Sequence, residues 1–341
     1  MGKDANGAIL DVSDLSVRFV HREGTVRAVN GVDLRLSEGE AVGIVGESGC
    51  GKTITAYSIL NILPRTAEIS SGSIRYRLRG GEVADLAALP PDGRRMRSIR
   101  GAEIAMIFQE PMTAFSPVHT ICNQICESML LHQHMDVRRA REVAVELLAR
   151  VGIPDPASRV DRYPFELSGG MRQRAMIAMA LASDPRVLIA DEPTTALDVT
   201  IQAQVLGLIK RMRREFSLSL ILITHDLGVV AHMVDRVYVM YLGRIVEEGP
   251  VGEILVSPSH PYTKALLRSI PRLRGQAGRV EPIEGSVPDS YTLPSGCAFH
   301  PRCGEVVGDV CRREIPPAEA VGPDHKVSCF RFSERGGSDD V

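Results

Sequence analysis

An α/β fold built around a buried parallel sheet is predicted for this 341-residue chain by three observations. The first is Gly46-Glu47-Ser48-Gly49-Cys50-Gly51-Lys52-Thr53, a glycine loop that follows the continuous apolar run Ala41-Val42-Gly43-Ile44-Val45 and opens a helix. Runs that are apolar at every position suit strands covered on both faces. The second is a pair of similar runs, Val187-Leu188-Ile189-Ala190 and Leu220-Ile221-Leu222-Ile223, each ending in polar residues. Ligands of open α/β sheets bind at such carboxyl ends. The third is Leu167-Ser168-Gly169-Gly170-Met171-Arg172-Gln173-Arg174, a Ser-Gly-Gly turn ahead of an apolar helical run. A helix N-terminus presents free N–H groups to anions, so this is a second anion site, far in sequence from the first.

The remaining elements follow in order. Leu15-Val17-Phe19 and Val32-Leu34-Leu36 alternate with polar residues and read as half-exposed antiparallel strands, whereas Ala41–Val45 reads as a buried parallel one. A helix is expected from Lys52 to about Leu63, ended by Pro64. Residues 72–108 return to strand character around a charged, Gly/Pro-rich excursion at 80–95 and close on Ile104-Ala105-Met106-Ile107-Phe108. Residues 137–151 predict an amphipathic helix with Val143, Leu147, Leu148 and Val151 on one face. From about residue 250 periodicity weakens and Pro258, Pro261, Pro271, Pro282, Pro288 and Pro294 punctuate the chain, which predicts a separate, loop-rich appendage. No internal repeat is visible, so a single nucleotide-binding unit is expected.

Composition narrows the function. A net charge of -2 offers no electrostatic footprint for bulk nucleic-acid or membrane-surface binding. With no Trp and 4% aromatics, a stacking platform for single-stranded nucleic acid is not expected. No stretch approaches the roughly eighteen apolar residues of a spanning helix. The start, Met1-Gly2-Lys3-Asp4-Ala5-Asn6-Gly7, lacks an apolar signal core, so export is not expected.

The loop 46–53 fits G-x-x-x-x-G-K-[ST] in the strand-to-helix context that this phosphate-binding motif requires. Its glycines let backbone N–H groups wrap phosphate oxygens. Lys52 supplies a point charge to the β- and γ-phosphates, and the Thr53 hydroxyl is a Mg²⁺ ligand. Asp191 and Glu192 emerge from the tip of the 187–190 strand. There one carboxylate can hold Mg²⁺ and the next can orient or deprotonate an attacking water. His225 occupies the matching tip of the 220–223 strand, placed for contact with the γ-phosphate, and Gln109 follows the 104–108 strand as a γ-phosphate and Mg²⁺ sensor. Phe19 is either an adenine-stacking ring or an ordinary strand aromatic.

Together these motifs resemble the ATP-binding-cassette (ABC) transporter ATPases over residues 8 to about 250. In the family's terms they are Walker A 46–53, Q-loop Gln109, signature 167–171, Walker B 187–192, D-loop Ala196-Leu197-Asp198 and H-loop His225. The resemblance implies a P-loop NTPase fold with a RecA-like core, an antiparallel β subdomain and an α-helical signature subdomain. It implies boundaries of 8–255 for the nucleotide-binding domain, about 110–182 for its helical part, and 256–341 for a Cys-containing extension. It also implies Glu192 as general base, Asp191 and Thr53 on Mg²⁺, Ser168, Gly169 and Gly170 capping ATP held by a second subunit, and Asp198 bridging the two.

A finer resemblance is to the dipeptide/oligopeptide importer branch. It rests on Gln109-Glu110-Pro111-Met112-Thr113, on Met171 after the signature glycines, on Asp191–Gln202, on His260-Pro261-Tyr262-Thr263 and on Gly296-Cys297-Ala298-Phe299-His300-Pro301-Arg302-Cys303. Ala114-Phe115-Ser116-Pro117 departs from that branch's usual Ser-Leu-Asn-Pro. The branch implies a second ATPase subunit, alike or different, two transmembrane permease subunits and an extracytoplasmic peptide-binding protein. It places the chain peripherally on the cytoplasmic face of the membrane. A nickel or other metal-chelate importer is the alternative cargo reading, and a non-transport ABC ATPase is the rival class. DNA-repair members of that class carry a long coiled-coil insertion and translation members a second cassette, and neither is expected in this chain.

Seven cysteines are unevenly placed, with Cys297, Cys303, Cys311 and Cys329 close to the C-terminus. The resemblance links such a tail with a [4Fe–4S] cluster, and four Cys suit that ligation. Structural Zn²⁺ is the rival if His300 joins Cys297 and Cys303. Buried free thiols are the third reading.

Overall fold

The computed structural model describes residues 7–195, 197–269, 283–289 and 291–333. Ala196, Pro271 and Pro282, named above, lie outside the described residues. The chain divides into two compact units. One contains the residues up to Ile9, Leu36–Glu40 and Tyr76–Ile223, and the other contains Leu10–Arg35, Ala41–Arg75 and the chain from Thr224 onward.

In chain order, the first elements are β1 (Ala8–His21), β2 (Gly24–Ser37), β3 (Ala41–Val45), α1 (Lys52–Ile59) and β4 (Ala67–Arg77). Next come β5 (Val83–Asp85), α2 (Arg94–Ile99), β6 (Ile104–Ile107), α3 (Pro111–Ala114), α4 (Ile121–His132), α5 (Val137–Arg150), α6 (Pro156–Arg159) and α7 (Gly169–Leu181). They are followed by β7 (Val187–Asp191), α8 (Val199–Glu215), β8 (Ser219–Thr224), α9 (Leu227–Met233), β9 (Arg236–Tyr241) and β10 (Arg244–Pro250). The tail holds α10 (Val251–Val256), α11 (Pro261–Arg268), α12 (Val310–Arg313), β11 (Ala318–Ala320) and β12 (Lys326–Ser328).

Within the first unit β6, β7 and β8 run parallel, with Ile104 opposite Val187 and Asp191 opposite Ile223. Every residue of these three strands is buried, as their unbroken apolar runs predict. The helices α4, α5 and α7 pack on one another. Ile125 and Met129, Ala144 and Leu148, and Met176 and Ile177 are fully buried there. Thr120 and Asp136 cap α4 and α5 by accepting the N–H groups of Asn123 and Arg139. The expected amphipathic face of α5 is present, although Val143 is only half-buried and Ala140 and Ala144 take the most enclosed positions.

The second unit carries one sheet of order β3-β9-β10-β12-β11, parallel between β3 and β9 and antiparallel beyond, and another containing β2-β1-β4. In β1 the buried positions shift from Leu10 and Val12 to Leu15 and Val17 across Asp14, which takes a left-handed φ of 48°. The tail is less separate than its composition suggests. Its strand β12 pairs with β10, setting Val327 opposite Glu247. A register irregularity between Ile245 and Glu247 accompanies the burial of Glu247, which is 1% exposed. That carboxylate accepts the N–H groups of Ser259 (2.6 Å) and His260 (3.0 Å) and meets His325 Nε2 at 2.8 Å. A buried hydrogen-bonded pair thus joins the β10–β12 ladder in holding the loop-rich tail to the sheet.

Two local expectations are corrected. Helix α1 stops at Ile59, well short of Pro64, because Asn61 adopts a left-handed φ of 51°. The N–H of Ile62 then reaches the carbonyl of Tyr57 and that of Asn61 reaches Ser58, a Schellman closure in which Asn replaces the usual glycine. The charged excursion at 80–95 also contains the start of α2, whose Met96 and Ile99 are fully buried.

Candidate nucleotide site

In the second unit, the loop between β3 and α1 is shaped by contacts that only glycine permits. A Cβ on Gly46 would lie 2.1 Å from the Met240 carbonyl oxygen, and one on Gly51 would lie 2.3 Å from that of Ala28. Gly51 has φ 105° and forms the N-cap of α1, while Gly49 has φ 78° and open space around it. Lys52 is 5% exposed and its Nζ donates to the carbonyls of Gly46 (2.8 Å) and Glu47 (2.9 Å), so its ammonium is curled inside the loop. Ser48 and Gly49 are at the exposed crest of the loop, and Thr53 is half-buried in the first turn of α1. Cys50 is buried, and that burial pushes its thiol pKa up against the pull of Lys52.

His225 follows β8 and is exposed. Next to it Asp226 caps α9, its Oδ1 accepting from Gly228 N (2.7 Å) and Val229 N (3.3 Å). Phe19 is half-exposed near the end of β1 and stacks on His21 at 6.1 Å between ring centroids. Tyr291 approaches the same hairpin, with its ring 3.6 Å from the space a Cβ on Gly24 would fill.

The first unit holds the acidic group. Asp191 ends β7 and is 1% exposed. Glu192, the next residue, takes φ 41°. Such a left-handed conformation is costly for a residue with a Cβ and is found where a surrounding structure enforces it. The Glu192 N–H donates to the Ile223 carbonyl at 2.9 Å, extending the β7–β8 ladder past Asp191. Its Oε2 accepts from Thr195 Oγ1 at 2.9 Å and from Gln109 Nε2 at 3.3 Å. The structure thus brings Gln109 and Glu192 together, and adds Thr195, which reading the sequence did not single out.

The Ser168-Gly169-Gly170 turn opens α7 as expected, with Ser168 as its N-cap accepting from Met171 N at 3.3 Å. Ser168 and Gly169 are exposed, and a Cβ on Gly170 would press to 3.3 Å from Ile201. Gln173, quoted above only within the run 167–174, is 2% exposed and donates to the Pro193 carbonyl at 2.7 Å. It ties α7 to the segment that follows Glu192. Asp198 caps α8, with Oδ1 accepting from Thr200 N (3.1 Å) and Ile201 N (3.0 Å).

The cysteine tail departs from the metal-centre expectation. Among the described residues no group of three or more His, Cys, Asp or Glu side chains is placed to hold a metal ion. The Sγ atoms of Cys303 and Cys311 accept the N–H groups of Glu305 (3.3 Å) and Val307 (3.4 Å). The His300 ring contacts the Cys297 carbonyl at 2.9 Å. Burial first, and neighbouring cysteines with it, raise the thiol pKa values of Cys297, Cys303 and Cys329, the last to about 11. Neither the four-thiolate cluster nor the Cys/His zinc site finds support in this arrangement.

An ABC transporter profile matches residues 29–195, and a profile of the oligopeptide/dipeptide transporter C-terminal region matches residues 246–311. A Brucella melitensis protein, provisionally named a peptide import ATP-binding protein, is 50% identical across 96% of this chain and 98% of its own length. The dipeptide transport ATP-binding protein DppD of Bacillus subtilis is 48% identical, covering 96% of each chain. Its namesake in Haemophilus influenzae is 44% identical over 96% of this chain and 97% of its own. Among solved structures, the dimeric bacterial ABC transporter cassette MJ0796 superposes with a TM-score of 0.62 at 25% identity, over 71% of this chain and 98% of its own. No helix of the described residues is long and apolar enough to cross a membrane. The chain belongs to the ABC transporter family, among its ATP-binding subunits, and carries the C-terminal region of the oligopeptide/dipeptide transporters.

Proposed function

We propose that this chain hydrolyses ATP to drive import of di- or oligopeptides, acting from the cytoplasmic face of the membrane beside two permease subunits, a second ATPase subunit and an extracytoplasmic peptide-binding protein. The observation that carries the ATPase reading is the glycine cradle around Lys52, which a Cβ at Gly46 or Gly51 would close. The match of residues 246–311 to the oligopeptide/dipeptide transporter region supports the cargo.

In this reading the N–H groups of 46–53 and the Lys52 ammonium bind the phosphates, and Lys52 exchanges its two carbonyl partners for phosphate oxygens. Thr53, Gln109 and Asp191 supply oxygen donors of the kind Mg²⁺ prefers, and the ion neutralises phosphate charge when bound. Glu192 takes a proton from the attacking water, with Thr195 and Gln109 fixing the rotamer of its carboxylate. His225 contacts the γ-phosphate and Phe19 stacks on the adenine. Ser168, Gly169 and Gly170 cap the ATP of the partner subunit, whose own signature caps this one, and Asp198 bridges the pair. Closure on ATP and reopening on hydrolysis supply the mechanical stroke. Residues 8–255 form the ATPase domain, with its helical part near 110–182, and 256–341 form the transporter-type extension.

The test is reconstitution of the full chain with its permease and binding-protein partners in vesicles. ATP-dependent uptake of a labelled dipeptide is expected. Uptake of a nickel chelate in place of peptide would overturn the cargo, and absence of ATP hydrolysis would overturn the whole reading.

A further inference from the structure

Glu47 places a carboxylate inside the phosphate-binding loop, where the proposed triphosphate brings several negative charges of its own. Unpaired, it would oppose ATP binding. It is instead gripped by Arg302, 255 positions away, in a fork of two bonds: Nη1 to Oε2 at 2.8 Å and Nη2 to Oε1 at 3.2 Å. The remaining guanidinium donors reach the Glu284 carbonyl (3.0 Å), the Ile283 carbonyl (3.4 Å) and the Tyr241 hydroxyl (3.4 Å). The Arg302 side chain is 3% exposed and that of Glu47 25%. Burial works against the Arg302 charge, but its bonds to Glu47 and Tyr241 outweigh that and hold its pKa above normal.

The tail grips Glu47 at a second point. The Tyr262 hydroxyl, fully buried at the start of α11, accepts the Glu47 N–H at 2.9 Å. Phe299 packs edge-on to Tyr241 at 5.3 Å and against Tyr262 at 5.4 Å, which fixes the short turn His300–Arg302 that carries the guanidinium. The carboxylate and the N–H of one loop residue are therefore both held by groups from beyond residue 260.

We infer that Arg302 is a positioning residue for ATP: it neutralises the Glu47 carboxylate and, with Tyr262, sets the backbone of the phosphate-binding loop. This rests on the ATPase reading above. A pair that merely staples the tail would affect stability alone. A pair that compensates charge would affect nucleotide affinity, in a salt-dependent way and reversibly by removing the charge it compensates.

The test uses the full chain, with equilibrium binding of a non-hydrolysable Mg–ATP analogue measured beside thermal unfolding at low and high salt. Arg302→Ala is expected to weaken binding on the order of tenfold at low salt and less at high salt, where the exposed carboxylate is screened. Arg302→Lys, which keeps the charge but not the fork, should recover part of the loss. Adding Glu47→Gln to Arg302→Ala should recover most of it. Unchanged affinity in Arg302→Ala with a lowered melting temperature would overturn the inference, as would a double variant no better than the single one. If the unaltered chain fails to bind the analogue, the ATPase reading beneath is what fails.

Discussion

Replacing Glu192 by Gln isolates the chemistry assigned to it. Gln is nearly isosteric, and its carbonyl oxygen can accept from Thr195 Oγ1 and Gln109 Nε2 as the carboxylate oxygen now does at 2.9 and 3.3 Å. Its backbone can keep the bond from the 192 N–H to Ile223 and the φ of 41°. Folding stability should therefore change by less than about 0.5 kcal/mol, as for substitutions that break no buried network. What disappears is the basicity. A positioned general base contributes about 10²- to 10⁴-fold, or roughly 3–5 kcal/mol of barrier. Phosphate release from ATP should fall by that factor while nucleotide binding is kept, and gel filtration should reveal an ATP-dependent dimer that no longer dissociates. Turnover above about a third of the original rate would refute the role of Glu192. Loss of ATP binding would show instead that the side chain shapes the site rather than the reaction.

Gly46→Ala drives a Cβ to 2.1 Å from the Met240 carbonyl, so ATP affinity measured by equilibrium dialysis should fall by at least about tenfold although no charged group is touched. Asp198→Ala removes two cap bonds from the N-terminus of α8 and should cost about 1 kcal/mol, seen as a melting point lower by about 2–4 °C. Burial depresses the pKa of His260 to about 3, and its neutral Nδ1 accepts the Tyr262 N–H at 3.0 Å. The unfolded chain therefore takes up this proton first, and the contribution of His260 to stability should fade as pH drops from about 6.5 towards 3, with a slope of at most about 1.4 kcal/mol per pH unit. Urea unfolding across that range checks it. His260→Asn, which can still cap α11, should flatten the slope.

What could be read from the chain follows the range of the interactions involved. The strands β3, β6, β7 and β8 were legible because burial on both faces leaves an unbroken apolar run. The loop 46–53 was legible because the approach of Gly46 to Met240 and of Gly51 to Ala28 excludes every other residue at those two positions. Ser168 was legible as a helix opening because a cap bond spans only three residues; that Asp198 caps α8 was not. The early stop of α1 was not, because a left-handed Asn61 leaves a weaker trace than Pro64.

The family and the order of its motifs are thus written in the chain itself, since they reside in local patterns of backbone freedom and burial. Only the tertiary structure decided that Gln109 and Thr195 share the Glu192 carboxylate, that Glu247 and His325 lock the tail to β10, and that Arg302 and Tyr262 hold Glu47. Among the described residues it offers no group of metal-ligating side chains, with Cys311 and Cys329 buried and Cys297 and Cys303 half-buried. In sequence Glu47 is read only as part of the phosphate-binding loop and Arg302 only as part of the run 296–303. Their pairing arises when chain segments far apart along the polymer fold side by side, and no local periodicity encodes that.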